Sequence, residues 1–284
     1  MKPESPLKMA FTQEQRARYE RNVLIPGLGE AGQERLAASR VAIVGLGGLG
    51  SPVALYLASA GVGTLGLFDS DVIELSNLQR QVLHSTPRLG QPKIDSAAET
   101  LRALNPEVRL HTSQMRISRE NAEDTLSAYD AVVEATDNFE SKYVINDACV
   151  ALGKPFATAG ILALSGQAMF VVPGQTACLR CAVPHVPQGV PTTGQLGVLG
   201  AVPGILGSVE AMEIIRWIIG CWKPQPNGSG LLHRVDGETM RLHTMRIPRR
   251  PNCNCVNQGL TQAKRSVDVS VPDLHNDTPD ATDE

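Results

Sequence analysis

The sequence predicts an α/β fold with a mostly parallel sheet, helices on both of its faces and a mixed β extension near the C-terminus. A short continuous apolar run, which is typical of a buried parallel strand, occurs at residues 41–45, and residues 64–68 and 131–135 predict two further buried strands. Helical patterns follow these runs at residues 51–60, 93–104 and 139–152. Strands that alternate with helices through short links predict right-handed crossovers and a parallel sheet.

Two further elements belong to the parallel half. Residues 108–112 alternate between apolar and polar side chains, which predicts another strand. Ser118 is a predicted N-cap for a helix that ends near Ala128, because its hydroxyl can accept a hydrogen bond from a free backbone N–H.

The segment 1–39 is polar and rich in Arg and Glu, so we expect a helical arm that stays outside the core.

The C-terminal part predicts the mixed extension. Residues 156–163 and 167–172 predict a hairpin, and a Pro/Gly-rich crossover follows at 173–203. Residues 204–219 predict a long apolar helix, and residues 231–236 and 239–246 predict two final strands. Asp236-Gly237 is a tight-turn signal between the last two strands. The sequence therefore divides into an arm at 1–39, one globular domain at 40–257 and a tail at 258–284.

Composition and charge narrow the class of protein. The 284 residues carry a formal net charge of −3 and contain no basic run, which favours neither nucleic acid nor an anionic membrane as a partner. No apolar run is long enough to span a membrane, and the N-terminus lacks an apolar signal segment. We therefore expect a reduced, cytoplasmic compartment. The tail is polar, acidic at its end and aperiodic, which predicts disorder.

A glycine motif, Gly45-x-Gly47-x-x-Gly50, follows the first predicted strand and begins the first helix of the domain. Such glycines allow a tight turn and a close approach of the backbone to phosphate, and the helix N-terminus offers free N–H groups. Asp69 ends the second strand, where a carboxylate can accept hydrogen bonds from a ribose. The motif predicts a Rossmann-like nucleotide site, but it does not separate NAD, FAD and ATP, and alone it favours a dehydrogenase.

An unusual density of polar side chains follows the second strand, at Asp71, Ser76, Asn77, Gln79, Arg80 and Lys93. Arg80 and Lys93 suit a triphosphate, one as a forked donor and the other as a point charge. Asp137, at the end of a later strand, can hold Mg²⁺ between phosphate oxygens. This set favours nucleotidyl transfer over hydride transfer, because hydride transfer needs no cations around a triphosphate.

Four stretches resemble the MoeB/ThiF/HesA family of ubiquitin-activating-enzyme-like adenylyltransferases, namely 44–50 (VGLGGLG), 69–81 (DSDVIELSNLQRQ), 90–93 (GQPK) and 135–138 (ATDN). The similarity runs from about Arg18 to Val256, most of the chain. It implies that the domain is an adenylation domain. It also implies that the domain uses ATP to activate the C-terminal carboxylate of a small ubiquitin-like sulfur-carrier protein that ends in Gly-Gly.

The resemblance implies a role for each matched position. Gly48 lies against the nucleotide and Asp69 binds its ribose; Asn77, Arg80 and Lys93 contact or neutralise the phosphates; Asp137 carries Mg²⁺ with Asn138 beside it. Arg21 matches an N-terminal arginine that reaches into the partner subunit's site, which implies a homodimer. From the residues alone, an exposed helix charge is an equal interpretation of Arg21.

These parts imply a reaction that needs no protein nucleophile. The carrier's terminal carboxylate attacks the α-phosphorus of ATP, pyrophosphate leaves, and an acyl-adenylate remains. Alignment and stabilisation of the charge on the phosphate oxygens supply the catalysis. A separate sulfur donor then attacks the activated acyl group.

Four of the six cysteines form two close pairs, Cys178/Cys181 and Cys253/Cys255. Together they predict a Cys₄ zinc site, structural because no ligand position is left open. The second pair is CxC, whereas the family usually has CxxC there. Free thiols or a redox couple remain the alternative.

The crossover loop lacks a feature that many sulfur-transfer members of the family carry, a cysteine before the Gly-rich helix. The matching position is Thr193, and no cysteine lies between Cys181 and Cys221. We therefore expect no thioester or persulfide relay in this loop. Two other functions stay open: a nucleotide-binding scaffold that recruits a carrier without turnover, and an NAD-dependent oxidoreductase.

Overall fold

A computed structural model describes residues 11–187, 189 and 193–257. In this part of the chain, the strands are β1 (Arg40–Val44), β2 (Thr64–Phe68), β3 (Arg109–Ser113), β4 (Ala131–Glu134), β5 (Phe156–Leu162), β6 (Ser165–Val171), β7 (Gly230–Asp236) and β8 (Arg241–Ile247). They form one sheet in the order β3-β2-β1-β4-β5-β6-β7-β8. The first five strands in that order are parallel and the last three add antiparallel, which confirms the mostly parallel sheet and its mixed extension.

Helices cover both faces of the sheet, as predicted. They are α1 (Gln13–Val23), α2 (Gly29–Ala38), α3 (Gly50–Ala60), α4 (Lys93–Leu104), α5 (Ala122–Ser127), α6 (Phe139–Leu152), α7 (Leu179–Ala182), α8 (Thr193–Leu196), α9 (Ala201–Ile218) and α10 (Asn254–Asn257). Side chains from α2, α3, α4 and α9 build the larger apolar core on one face, which we call the α9 face. Side chains from α5, α6 and α7 build the second core on the other, the α6 face.

The central strands explain why this sheet is buried on both sides. Every residue of β2 and β4 is buried, and so is β1 apart from Arg40. Alternate residues of β1 enter different cores: Val41 and Ile43 pack on the α9 face, and Ala42 packs on the α6 face. Apolar side chains therefore dominate these strands, because neighbouring side chains meet covered faces in turn.

One predicted cap is wrong. Helix α5 begins at Ala122, and Ser118 lies four residues before it. The backbone N–H of Ser118 donates to the side-chain oxygen of Asn121 at 2.9 Å, so residues 118–121 form a turn before the helix. Asn121 can bond to nearby backbone as well as Ser118 can, and this local bond shifts the start of the helix.

The predicted position of the N-terminal segment outside the core is wrong for several of its residues. Leu36 on α2 has no exposed surface, and Leu28 and Tyr19 are also buried. Buried Gln33 donates to the carbonyl of Ala60 at 2.7 Å, which satisfies the end of α3. The residues that face inward are few and widely spaced, and the many charges of the segment concealed them.

The link between β7 and β8 is longer than the two-residue turn suggested by Asp236-Gly237. It comprises residues 237–240, and the carboxylate of Asp236 accepts hydrogen bonds from the backbone N–H groups of Glu238 and Thr239. The tail at 258–284 lies outside the described residues. None of the described helices is both long and apolar enough to cross a membrane.

Candidate functional site

A cavity of about 870 Å³ opens at the carboxyl ends of the parallel strands. This edge is where ligands bind in open α/β sheets. Its wall includes most of the residues that the sequence singles out for a nucleotide: Gly45, Gly47, Gly48, Asp69, Asp71, Arg80, Lys93, Asp137 and Asn138. The fold therefore brings side chains from four separate segments to one place.

Two glycines of the loop, Gly45 and Gly50, have no room for a side chain. Gly45 has a φ of +95°, and a Cβ atom there would lie 2.6 Å from the carbonyl oxygen of Ala135. A Cβ on Gly50 would lie 1.9 Å from the carbonyl oxygen of Gly45. Helix α3 begins at Gly50, directly after the loop and without a side-chain cap. The N–H of Ser51 donates to the carbonyl of Gly47 at 2.9 Å and Pro52 has no N–H, so an anion would be received by N–H groups of the loop and of Gly50.

Both backbone groups of Leu46, inside the loop, are held by buried or half-buried side chains. Its N–H donates to Asp69 Oδ2 at 2.8 Å, and its carbonyl lies 2.9 Å from His84 Nε2. A carbonyl can only accept, so Nε2 carries the hydrogen and Nδ1 faces the hydroxyl of Ser96 at 3.0 Å. Burial lowers the pKa of His84, which keeps the ring neutral in this arrangement.

The two predicted cations differ in how they are held. Lys93 is buried at the start of α4, and its Nζ pairs with Asp71 Oδ2 at 2.9 Å. Arg80 is half-buried, and its Nη1 donates to the carbonyl of Ser76 at 3.0 Å. Each cation uses part of its donor capacity on the protein and retains N–H groups for a ligand.

Asp137 lies in the turn between β4 and α6. Its carboxylate is exposed in the cavity wall, and the distance from Oδ1 to the side-chain amide of Asn138 is long at 3.4 Å. Asn138 is the N-cap of α6, because its side-chain oxygen accepts from the backbone N–H of Ser141 at 2.9 Å. An exposed carboxylate beside the glycine loop suits Mg²⁺, which prefers oxygen ligands.

Four predicted residues lie outside the cavity wall of this chain. Ser76 and Asn77 belong to a 3₁₀ turn, and Gln79 follows it and donates to the carbonyl of Val198 at 3.4 Å. Arg21 is exposed in the last turn of α1. Thr193, at the start of α8, does line the cavity, so the crossover loop returns to the site.

Several residues of the wall were missed by sequence reasoning. They come from distant elements and include Gln81, Arg116, Lys142, Gln167 and Arg234. The side-chain oxygen of Gln81 is buried without a hydrogen-bond partner among the described residues, next to Gly47. Gln81 follows Arg80 directly in the polar stretch, and that position was the one signal that could have found it.

The four paired cysteines form one cluster. Their sulfur atoms lie within 4.8 Å of one another, with 3.4 Å between Cys178 and Cys253 and 3.6 Å between Cys181 and Cys255. Hydrogen bonds from Cys178 and Cys255 lower the pKa of the Cys181 thiol, to which the backbone N–H of Arg250 also donates. A tetrahedral ion with metal–sulfur bonds of about 2.3 Å needs sulfurs about 3.8 Å apart, so the cluster fits zinc despite the CxC spacing.

A family model described as the ThiF family matches residues 19–257. The chain belongs to the ThiF family. It is 41% identical over 252 residues to the sulfur carrier protein adenylyltransferase of Thermus thermophilus, covering 86% of this chain and 93% of that protein. It is 43% identical over 256 residues to adenylyltransferase and sulfurtransferase MOCS3 of Sus scrofa, covering 88% of this chain but 56% of that protein.

Solved structures agree on the fold. E. coli MccB, solved with the peptide MccA-N7isoASN, superposes with a TM-score of 0.75 at 23% identity and covers 88% of this chain and 76% of its own. The same enzyme has also been solved with ATP. The expected family and the adenylyltransferase class are therefore confirmed, whereas the boundary of the domain at residue 40 stays a prediction.

Proposed function

We propose that this chain adenylates the C-terminal glycine carboxylate of a small ubiquitin-like sulfur-carrier protein, with ATP as the second substrate. One observation carries the proposal: a glycine loop, Arg80, Lys93 and Asp137 line a single cavity. They do so in a chain that matches a sulfur carrier protein adenylyltransferase over 93% of that protein's length. An oxidoreductase that binds NAD would have no use for these charged side chains in hydride transfer.

The loop and the charges suit the triphosphate of ATP. Backbone N–H groups of the glycine loop and of Gly50 can receive phosphate oxygens, and the buried Nζ of Lys93 offers a fixed positive charge. Arg80 packs against the loop, because its Cγ would lie 3.4 Å from a Cβ atom placed on Gly48, and it brings further N–H groups there. Asp69 already binds the loop through Leu46, and its carboxylate oxygens have further lone pairs for a ribose.

Asp137 would hold Mg²⁺, which would supply positive charge to the reacting phosphates. The chain's own part is to align the carrier carboxylate with the α-phosphorus and to stabilise the charge that develops there. The fixed positions of Lys93 and the loop mean that little reorganisation accompanies the reaction. Pyrophosphate then leaves, and the acyl-adenylate remains in the cavity.

The cavity also has room for the end of a carrier. Beyond the glycine loop its wall continues along the β5–β6 hairpin to Gln167 and to Arg234 on β7. A Gly-Gly tail has no side chains and is narrow enough to pass between these elements, whereas larger residues at the tail would not fit as easily. We infer that the carrier tail enters from this side.

Thr193 lies at the position that determines whether the acyl group can pass from the adenylate to the protein. The crossover loop brings Thr193, and no thiol, to the cavity wall. A threonine hydroxyl is a much weaker nucleophile than a thiolate without an adjacent base. We infer that the acyl-adenylate is the product of this chain and that a separate sulfur donor attacks it.

The assembly that we propose is a cytoplasmic homodimer. Arg21 is exposed and outside this chain's own cavity, so a role in catalysis requires that it reach a second copy. The cysteine cluster, which would hold structural zinc, contains free thiols and no disulfide among the described residues. Thiolates poised for a metal are typical of a reducing compartment.

Mass spectrometry of the carrier tests the function. After incubation with ATP and Mg²⁺, a carrier that ends in Gly-Gly should gain the mass of one AMP unit, and the gain should disappear with Asp137→Ala. A carrier that lacks the terminal glycine is the matched control. A wild-type chain that binds ATP and carrier but never yields the adduct would support the scaffold instead.

The composite site has its own test. Arg21→Ala and Asp137→Ala subunits, each inactive alone, should recover part of the activity when they are mixed and allowed to exchange. Absence of recovery in mixed dimers, shown to form by native mass spectrometry, would exclude a role for Arg21 across the interface.

A further inference from the structure

A cluster of buried polar side chains lies on the α6 face, directly beneath the cavity. Glu134 ends β4 and has no exposed surface, while Lys142 on α6 and Thr158 on β5 are also buried. Glu134 Oε2 accepts hydrogen bonds from Lys142 Nζ at 2.7 Å and from Thr158 Oγ1 at 2.6 Å. Lys142 Nζ donates a second hydrogen bond to the carbonyl of Ala159 at 2.5 Å.

The other oxygen of Glu134 binds the turn that follows β4. Glu134 Oε1 accepts from the backbone N–H of Thr136 at 2.8 Å and from the Thr136 hydroxyl. Thr136 immediately precedes Asp137, the candidate Mg²⁺ ligand. The carboxylate of Glu134 therefore reaches past the end of β4 and holds Thr136, which is the direct neighbour of Asp137.

The turn is held on its other side as well. The backbone N–H of Ala135 donates to the carbonyl of Val44 at 2.8 Å, which continues the sheet. Asn138 is fixed as the N-cap of α6 through Ser141. Asp137 thus lies between two restrained neighbours, although its own carboxylate is exposed.

Core packing alone does not explain this cluster. A buried ion pair is often no more stable than apolar side chains of the same volume, because the desolvation of both charges offsets their attraction. What apolar side chains cannot supply is an acceptor for the N–H and hydroxyl of Thr136. A carboxylate at position 134 is therefore explained by its hydrogen bonds to Thr136 in the turn after β4.

We propose that Glu134 is a positioning residue for the adenylation reaction and acts through Thr136 to set the place of Asp137 relative to Mg²⁺ and the phosphates. Lys142 and Thr158 hold Glu134 in the conformation that reaches Thr136. The proposal rests on the function proposed above, since it assigns the purpose of the turn to the metal site.

Two double variants separate positioning from packing. Glu134→Gln with Lys142→Met and Glu134→Met with Lys142→Met both remove the buried charge pair and keep side chains of similar length. The glutamine retains a carbonyl oxygen for Thr136, and the methionine does not. Because both lack Lys142, a difference between them reports on the acceptors lost at Thr136 and Thr158, and the exchange of the Thr136 amide assigns it to Thr136.

Two readouts are needed, and neither requires a carrier. Hydrogen exchange of the Thr136 amide should remain slow with the glutamine and become at least tenfold faster with the methionine. Isothermal titration calorimetry should show that Mg²⁺ increases the affinity for ATP at least tenfold more with the glutamine than with the methionine. In EDTA the two double variants should bind ATP with equal affinity.

The outcomes are distinguishable. Equal amide exchange and equal Mg²⁺ enhancement in the two variants would overturn the positioning role. A wild-type chain that binds no ATP would instead overturn the proposed function.

If the methionine variant lacks a cooperative melting transition, Thr136→Val replaces it, because this change removes the hydroxyl bond and leaves the charge pair. It should reduce the Mg²⁺ enhancement at least threefold, and a wild-type value would overturn the proposal.

Discussion

Two carboxyl groups, one buried on each face of the sheet, lie in opposite surroundings. On the α6 face, the carboxylate of Glu134 accepts hydrogen bonds from three residues, and the cysteines meet in one cluster. On the α9 face, the carboxylate of Glu210 is buried without a hydrogen-bond partner among the described residues. The difference teaches that the buried carboxylate next to the site is fully hydrogen-bonded, whereas burial of the Glu210 carboxyl is not offset by a partner among the described residues.

The pKa of Glu210 follows from this environment. Burial raises the pKa well above its usual value, the negative charge of Glu134 raises it further, and the positive charge of Lys142 lowers it. Lys142 is already paired with Glu134, so Glu210 receives little compensation. The folded chain therefore favours the neutral form of Glu210 more strongly than the unfolded chain does.

The largest effect on stability is expected at the cysteine cluster of the α6 face. Cys181→Ser removes one of the four proposed zinc ligands, and the free energy of unfolding should fall by about 5 kcal/mol or more, as losses of structural metals do. Urea denaturation and elemental analysis check both parts. Cys221→Ser, which changes an exposed cysteine outside the cluster, should shift stability by less than about 0.5 kcal/mol. A Cys181→Ser variant of normal stability that keeps its zinc would contradict the site.

The next largest effect is expected at Glu134. Glu134→Ala leaves the ammonium group of Lys142 buried without a counter-charge, so the free energy of unfolding should fall by about 3–5 kcal/mol. Thermal or urea unfolding measures the change. Glu140→Ala removes an exposed carboxylate on the same helix as Lys142 and should have almost no effect. Equal stability of the two variants would mean that the pair contributes nothing to the α6 face.

On the α9 face we expect a substitution that increases the free energy of unfolding. Glu210→Met replaces an unpartnered carboxyl by an apolar side chain, so the free energy of unfolding should rise by about 1–3 kcal/mol. The gain should grow with pH above about 4.5, because there the unfolded chain releases the proton that folded Glu210 retains. Urea unfolding at several pH values measures it. A destabilised variant, or a gain that shrinks as pH rises, would show that Glu210 has a partner.

A smaller effect is expected where the α6 face meets the cavity. Asn138→Ala removes the N-cap of α6 and should lower the free energy of unfolding by about 1 kcal/mol. Asn138→Asp is the matched control, since it keeps an acceptor and places negative charge at a helix N-terminus. If both variants lose equal stability in thermal melts, the cap is not what holds this end of α6.

The comparison of the faces also shows what the sequence predicts well. Local patterns located the glycine loop, Lys93 at the start of α4 and Phe139 at the start of α6, because strand ends, glycines and caps are encoded within a few residues. The carboxyl ends of parallel strands meet at one edge, so Asp69 and Asp137 could be assigned to one site before the structure was known.

Contacts between distant segments were beyond local patterns. The sequence of α9 is mostly apolar, and nothing in it shows that Glu210 lies on the inner side. Glu134 and Lys142 are eight residues apart and become partners because a strand and the following helix pack together. Arg234 enters the cavity wall from β7, which the antiparallel extension places beside β6.

The exchange of labelled pyrophosphate into ATP tests the central claim, adenylation of a carrier, most directly. We expect exchange that requires Mg²⁺ and a carrier ending in Gly-Gly, and that falls at least 100-fold with Asp137→Ala while the melting temperature stays unchanged. Asp95→Ala, which changes an exposed acid on α4 away from the cavity wall, serves as the control. Undiminished exchange with Asp137→Ala, or no exchange by the wild-type chain with any such carrier, would contradict this claim.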